Sequence, residues 1–282
     1  MHLLTLKTVL VAVARDDASL AGLRAGVALA AAAGAKLHVV HVTSDPAVTP
    51  NTLAASMLDG VDAKVHVVVG DPDDAIRAVA DKLHADVIVL GPHRLDARER
   101  RGSGPGSTAL GVVTNASVPC LVVATTINLP LRRVLVPVDL SDTSRGALIV
   151  ALSWASALRR MDTTHPTTLT ALYVGATRDS VAAGADRVAL LERAVAELRD
   201  SAGSWAGVEV NTDAVMGTDT PATIAQYAAN HGAELVVLGT RGLGLDPVGR
   251  LGSVAGETIR RMQLPLLLVP PAVWLSHARS IS

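Results

Sequence analysis

The sequence contains no phenylalanine and only three tryptophans and two tyrosines among its 282 residues. Apolar residues still make up 49% of the chain, so its buried cores must be built from valine, leucine, isoleucine and alanine. Such cores are typical of parallel β-sheets covered by helices on both faces. The scarcity of aromatic side chains therefore favours an α/β protein, and the length allows two domains.

Excess charge and long apolar runs are also lacking. The formal net charge of −1 argues against an electrostatic grip on nucleic acid or on an anionic membrane. The nearest approach to a membrane-spanning segment, residues 146–158, is shorter than the ~20 residues that a spanning helix needs. The N-terminus lacks a signal-peptide cleavage pattern. We therefore expect a cytoplasmic protein that binds neither nucleic acid nor membranes.

Cysteine occurs once, as Cys120, so no internal disulfide can form, which is consistent with a reducing compartment. It lies in an apolar run, which favours a buried strand residue over a reactive thiol. His38 and His41 are three residues apart on one predicted strand and point to opposite faces, so they cannot share a metal ion. No cluster of histidine, cysteine and carboxylate side chains has metal-ligand spacing.

Three apolar segments of the first half recur, in the same order, in the second half. The corresponding segments are 7–13 and 133–138, 86–91 and 234–239, and 118–123 and 264–269. Three matches in one order indicate a tandem duplication. We place the two domains at 1–127 and 128–282, joined by a linker at 125–131.

Each half alternates short apolar runs with amphipathic helical patterns. This alternation predicts two doubly wound domains, each with a five-stranded parallel sheet of order 3-2-1-4-5 flanked by helices. The predicted strands are 8–14, 36–42, 63–69, 86–90 and 119–124, then 133–139, 168–174, 209–215, 234–238 and 265–269. The predicted helices are 19–33, 52–58, 72–83 and 107–115, then 144–160, 184–202, 221–231 and 253–262.

Ligands of such sheets bind beyond the carboxyl ends of the strands, where the strand order reverses. In the second half, this crevice lies between the first strand, which ends in Pro137-Val138-Asp139, and the fourth, which ends at Leu238. A glycine loop follows the fourth strand: Gly239, Arg241 and Gly242, then Gly252 and Ser253, with Val254 in the next helix. Loop amides and a hydroxyl at a helix start suit phosphates, and a carboxylate suits ribose hydroxyls. The combination predicts a nucleotide site.

Each feature also has an ordinary structural interpretation. Glycines occur in many turns, Ser253 could be a helix N-cap, and Asp139 could cap the helix that follows it. Arg241 could reach a phosphate or point into solvent. For each of these residues taken singly, the structural interpretation is favoured. Because the residues lie together on adjacent strand ends, their combination favours the nucleotide site.

The pattern Gly-x-x-Gly, nine residues, Gly-Ser, in a fold ending Leu-Pro-Leu-Leu-Leu-Val, resembles the ATP-binding branch of the universal stress protein family. The resemblance extends from about residue 7 to residue 270. It implies that ATP binds, with or without Mg²⁺ or Mn²⁺, and that Pro137 and Asp139 contact adenosine and Val174 contacts adenine. It also implies that the loop glycines, Ser253 and Val254 hold the phosphates. Ala255 stands where the family often has a hydroxyl residue.

The first half departs from this pattern. In the first half, Ala14 occupies the position that corresponds to Asp139 of the second half, and Arg94 occupies the position of the second loop glycine. The loop, residues 91–107, is two residues longer than its counterpart. Because a residue with a Cβ atom is restricted where glycine is not, we expect that this half does not bind ATP.

Three classes of function remain open. The first is an ATP-binding stress or signalling protein that changes conformation or partners, with slow or no hydrolysis, because no dedicated general base is visible. The second is an ATP hydrolase or nucleotidyl-transfer enzyme, and the third is a nucleotide-free interaction module. The resemblance further implies that the last strands of the two halves pair within one chain, which would protect an apolar sheet edge. A further homodimer is possible, but nothing in the sequence supports it.

Overall fold

The computed structural model describes residues 6–14, 19–91, 108–159, 164–176, 181–202, 205, 207–242 and 251–274. Its contacts divide the chain into two units, Leu6–Ile127 and the part from Asn128 onward. Each unit has its own buried core of aliphatic side chains, as the composition indicated.

The first unit is a parallel sheet with strand order β3-β2-β1-β4-β5. Its elements are β1 (Thr8–Ala12), α1 (Ser19–Ala33), β2 (Lys36–Val42), α2 (Pro50–Met57), β3 (Lys64–Val68), α3 (Pro72–Leu83), β4 (Val87–Leu90), α4 (Thr108–Asn115) and β5 (Cys120–Val122). The predicted strand order is confirmed.

The second unit repeats this order as β8-β7-β6-β9-β10, again with parallel pairs. Its elements are β6 (Arg133–Pro137), α5 (Asp142–Leu158), β7 (Thr167–Ala176), α6 (Val181–Ala202), β8 (Val208–Gly217), α7 (Thr220–Asn230), β9 (Leu235–Gly239), α8 (Ser253–Arg261) and β10 (Leu266–Val269). The predicted α/β class with two doubly wound units is therefore confirmed. Strands β7 and β8 are longer than predicted, with ten residues each.

Side chains before several helices explain where those helices begin. Asp71 and Asp219 are the N-caps of α3 and α7, and each side chain accepts a hydrogen bond from a backbone N–H of the first turn. Pro72 and Pro221 lie in those first turns, where a missing N–H has no cost. The N-cap and proline residues therefore determine where α3 and α7 begin, and these two helices occupy corresponding positions in the two units.

A carboxylate ties the first strand to the fourth in both units. Asp86 Oδ2 accepts hydrogen bonds from the backbone N–H groups of Lys7 at 2.7 Å and Thr8 at 2.8 Å. In the second unit, Glu234 Oε2 accepts from the N–H groups of Arg132 at 2.6 Å and Arg133 at 3.3 Å. We call this pair of contacts the carboxylate clamp.

Helix α5 buries most of its length, with 13 of its 17 residues in the core. Trp154 is among them and is 2% exposed. A tryptophan at the C-terminal end of the described chain, Trp274, lies beside Gly146 of the same helix. Among the helices that the structure describes, none is long and apolar enough to cross a membrane.

Candidate functional site

A cavity of about 610 Å³ lies beyond the carboxyl ends of β6 and β9 in the second unit. These two strands are neighbours, with Leu135 opposite Val236. All eleven residues predicted from the sequence line this cavity: Pro137, Val138, Asp139, Val174, Leu238, Gly239, Arg241, Gly242, Gly252, Ser253 and Val254. The strand ends and the glycine loop therefore meet at one place.

Asp139 and Gly242 are in direct contact across the cavity. A methyl group built on Gly242 would lie 2.5 Å from Asp139 Oδ2, so any larger residue there would push the carboxylate away from this position. The other carboxylate oxygen, Oδ1, accepts a hydrogen bond from the backbone N–H of Ser141 at 3.0 Å. The N-cap of α5 is Ser141, whose side chain accepts from the Ser144 N–H. The interpretation of Asp139 as that cap is therefore wrong.

Backbone hydrogen bonds position the end of the glycine loop. The Gly252 N–H donates to the Thr240 carbonyl at 2.8 Å, and the Thr240 N–H donates to the Val269 carbonyl at 2.9 Å. Gly252 is thereby placed as the N-cap of α8, without a side-chain cap hydrogen bond in the described residues. Ser253 is the first helical residue, so its interpretation as the N-cap is wrong. An uncapped helix start lined by Gly252, Ser253 and Val254 suits an anion.

Sequence reasoning missed several residues that line the same cavity: Ser144, Leu172, Thr220, Ile224 and Leu251. Leu172 is opposite Pro137 in the sheet register and has the same parity on β7 as Val174, so both point to one face. Together with Ile224 they form an apolar wall. Because side chains alternate between the two faces of a strand, the position of Leu172 two residues before Val174 could have identified it from the sequence.

Few ionisable groups line the cavity among the described residues. Asp139 is the lining carboxylate and Arg241 is the lining guanidinium, which lies in an exposed position. Over the part of the chain that the structure describes, no group of three or more histidine, cysteine and carboxylate side chains could hold a metal ion. The cavity therefore combines one acidic side, one basic residue and a glycine-lined helix start.

The corresponding place in the first unit lacks the carboxylate. Ala14 takes the position of Asp139, and its N–H donates to the Ser19 hydroxyl at 2.8 Å. Arg94 and the rest of the loop at 92–107 lie outside the described residues. The expectation that this half does not bind ATP stays a prediction.

Two successive doubly wound units, one carrying a glycine-lined cavity beside a carboxylate, define a tandem α/β protein with a site suited to a phosphorylated ligand. The model of the universal stress protein family matches residues 5–59, 51–124 and 130–270. The chain belongs to the universal stress protein family. No curated protein sequence matches it significantly.

Solved structures share the fold at low sequence identity. A universal stress protein from Archaeoglobus fulgidus DSM 4304 is 18% identical, with a TM-score of 0.66, and the match covers 94% of this chain and 96% of that one. A functionally unknown protein from Pseudomonas aeruginosa PAO1 is 17% identical, with a TM-score of 0.67 and coverages of 99% and 98%. A universal stress protein in complex with cAMP is 26% identical over 43% of this chain and 98% of its own, with a TM-score of 0.37. The first two similarities show the fold.

Proposed function

We propose that the second unit, residues 128–282, binds an adenine nucleotide, with ATP as the preferred ligand. In this proposal the protein acts in stress response or signalling by changing conformation or partners when the nucleotide binds. The contact between Asp139 and Gly242 carries the proposal, because it brings a ribose-type acceptor beside a phosphate-type cradle.

The lining residues divide by chemistry into three parts. Leu172, Val174 and Ile224 offer an apolar surface for the base. Asp139 accepts hydrogen bonds from ribose hydroxyls, and a carboxylate at that place disfavours a phosphate. The start of α8 and the loop glycines face the phosphates, where N–H groups and the helix dipole favour negative charge.

Arg241 completes the phosphate side. Its exposed position at the cavity allows the guanidinium to reach the outer phosphates, which distinguishes ATP from adenosine. Slow or no hydrolysis follows, because the lining carboxylate is assigned to ribose and no other carboxylate and no histidine lines the described part of the cavity. Mg²⁺ or Mn²⁺ would then be held by the phosphates rather than by a protein cluster.

Isothermal titration of the full chain with ATP tests the site. In Gly242→Ala the new methyl group displaces the Asp139 carboxylate, and Asp139→Ala removes it. Losing a hydrogen bond to a charged group costs about 1.5–3 kcal/mol, so we expect affinity to fall roughly 10- to 100-fold in either variant.

Gly256→Ala is the matched control, because it adds the same methyl group in α8. The nearest atom to that methyl would be Leu251 Cδ2 at 3.5 Å, an ordinary contact. This variant should bind ATP like the parent protein. Unchanged affinity in both site variants, with folding intact, would refute the assignment.

Stoichiometry tests the proposed difference between the halves. If the first half, 1–127, does not bind ATP, titration should give one nucleotide per chain. Two equivalent sites would contradict this. The pairing of the last strands within one chain, a homodimer and a cytoplasmic location stay predictions.

A further inference from the structure

A second cavity, of about 350 Å³, lies in the same unit at the other end of the same sheet face. Leu135, Thr170 and Asn211 are opposite one another on β6, β7 and β8 and line it together. Among the described residues, it shares no lining residue with the nucleotide cavity. Leu172 and Ile224, both fully buried, belong to the nucleotide cavity and separate the two.

Several polar side chains line this second cavity on the sheet side, although a sheet face beneath a helix is normally apolar and the rest of the cavity surface is mainly apolar. Thr168 and Thr170 are two residues apart on β7, so their hydroxyls point to one side, about 7 Å apart. In the described residues, neither hydroxyl nor the Asn211 amide makes a side-chain hydrogen bond to the protein. These groups remain available to a ligand.

The wall of the second cavity is held in place by hydrogen bonds. The Tyr227 hydroxyl donates to Asp213 Oδ2 at 2.7 Å, and the Ala214 N–H donates to Asp213 Oδ1 at 2.7 Å. Burial, and then the neighbouring carboxylate, raise the pKa of Tyr227, so its hydroxyl stays a donor. The Tyr227 ring stacks on His231 with 3.9 Å between centroids.

His231 adds an acceptor to this wall. Its Nδ1 lies 2.9 Å from the Tyr227 carbonyl oxygen. Because a carbonyl only accepts, the neutral imidazole carries its proton on Nδ1, which leaves Nε2 as an acceptor. The wall therefore brings an acceptor, His231 Nε2, to the same cavity as the threonine hydroxyls.

The first unit has two histidines at the corresponding positions. By strand register, His38 takes the place of Thr170 and His66 the place of Asp213. Their rings stack with centroids 5.2 Å apart, and His38 Nδ1 lies 2.9 Å from His66 Nε2. In the first unit two imidazoles therefore satisfy each other, whereas shorter side chains in the second unit leave polar groups facing a cavity.

The charged side chains around the second cavity already have hydrogen-bond partners in the protein. Arg133 Nε donates to the Gly232 carbonyl at 2.6 Å, and its terminal nitrogen lies 3.6 Å from Glu234. Asp213 already accepts two hydrogen bonds. An anion would be repelled by the Asp213 carboxylate, and both oxygens of that carboxylate already accept a hydrogen bond. Hydroxyl groups, by contrast, can both donate to and accept from the threonines, the amide and the imidazole.

We propose that the second cavity binds a small uncharged polyol of about monosaccharide size. Its volume is at the low end of the range of about 300–1,000 Å³ for small-molecule pockets, which sets the ligand size. Leu135 and Ala233 supply apolar surface for the C–H groups of such a molecule.

Saturation-transfer NMR on the full chain tests this proposal, with myo-inositol and D-glucose as uncharged probes and putrescine and inorganic phosphate as charged ones. We expect at least one polyol to bind at millimolar concentration and neither charged probe to do so. Binding of a charged probe alone, or of no probe, overturns the proposal.

Thr170→Val locates the site, because it replaces the hydroxyl with a methyl group of the same shape. We expect polyol affinity to fall about tenfold, since one buried-side hydrogen bond is lost. Thr218→Val, at an exposed position outside both cavities, is the matched control and should bind like the parent. ATP titration of each variant checks folding. Unchanged polyol binding in Thr170→Val with intact ATP binding overturns the assignment.

Discussion

Replacing Asp86 by alanine is expected to destabilise the first unit through loss of its carboxylate clamp. Two backbone N–H groups then lose an ionised acceptor, and such bonds contribute about 1.5–3 kcal/mol each when shielded from water. The hydrogen bond from the Lys7 N–H is exposed and the one from the Thr8 N–H is half-buried, so solvent screening lowers their combined contribution to stability. We expect the free energy of unfolding to fall by about 1–3 kcal/mol. With a urea dependence of about 1–3 kcal/mol per molar, the midpoint should fall by roughly 1 M.

Glu234→Ala removes the equivalent clamp from the second unit. One of its two contacts is longer, at 3.3 Å, so the loss should lie at the lower end of the same range. The two variants form a matched pair, because each removes the same kind of contact from one unit only.

The positions of the fluorescent residues and of the single cysteine allow the unfolding of the two units to be followed separately. Every tryptophan and tyrosine lies in the second half, so intrinsic fluorescence reports that unit alone. The only cysteine, Cys120, lies in the first unit and is 1% exposed, and burial raises the pKa of its thiol to about 12. Its reaction with a thiol reagent in urea therefore reports opening of the first unit. Asp86→Ala should shift thiol labelling, and Glu234→Ala should shift fluorescence.

Asp81→Ala is the control, because Asp81 is an exposed residue of α3 whose carboxylate accepts from the Ser117 hydroxyl at 3.0 Å and from no backbone N–H among the described residues. It should change stability by about 0.5 kcal/mol or less. If Asp86→Ala moves the labelling midpoint no further than Asp81→Ala does, the clamp does not stabilise the unit. If Asp86→Ala lowers the fluorescence midpoint as much as it lowers the thiol-labelling midpoint, the two units do not unfold independently.

Two further predictions concern the first unit. Burial, then neighbouring positive charges, lower the pKa of both His38 and His66, so the unfolded chain binds more protons just below pH 6.5. The stabilising contribution of the two neutral histidines should therefore be fully present above pH 6.5 and be lost as the pH falls through their lowered pKa values. Thiol labelling in urea measures this dependence, and His66→Gln should flatten it. Gly26→Ala should destabilise by about 1–3 kcal/mol, because its methyl group would overlap Val11 Cγ2. Gly256→Ala should not, because its methyl group would make only ordinary contacts. Equal shifts of the unfolding midpoint from the parent value in the two variants would contradict this.

The arrangement of the candidate site was predictable because it depends on strand order rather than on side-chain detail. The blocks ending at Leu90 and Gly239 are apolar throughout and bounded by turn residues, so their strands could be placed within two residues. Once the order is 3-2-1-4-5, the ends of the first and fourth strands must be adjacent. Asp139 and the glycine loop therefore meet without further information.

Contacts that depend on register could not be predicted. His38 was compared with His41 on its own strand, but its partner is His66 on the next strand, 28 residues away. A shift of one residue between β2 and β3 would turn these side chains to opposite faces. The N-cap of α5 was also undetermined, because Asp139 and Ser141 are both good capping residues. Only the extended backbone of Ser141, with φ −69° and ψ 160°, selects it.

The burial of α5 has a consequence for synthesis on the ribosome. The helix contacts β9 and β10 as well as β6 and β7, yet β9 begins roughly 75 residues after the helix ends. At about 5–20 residues per second, an apolar helix waits roughly 4–15 s for half of its covering sheet. During that interval it is a target for chaperones and for aggregation. Translation speed between residues 159 and 239 should therefore influence the yield of folded protein more than translation speed after β10.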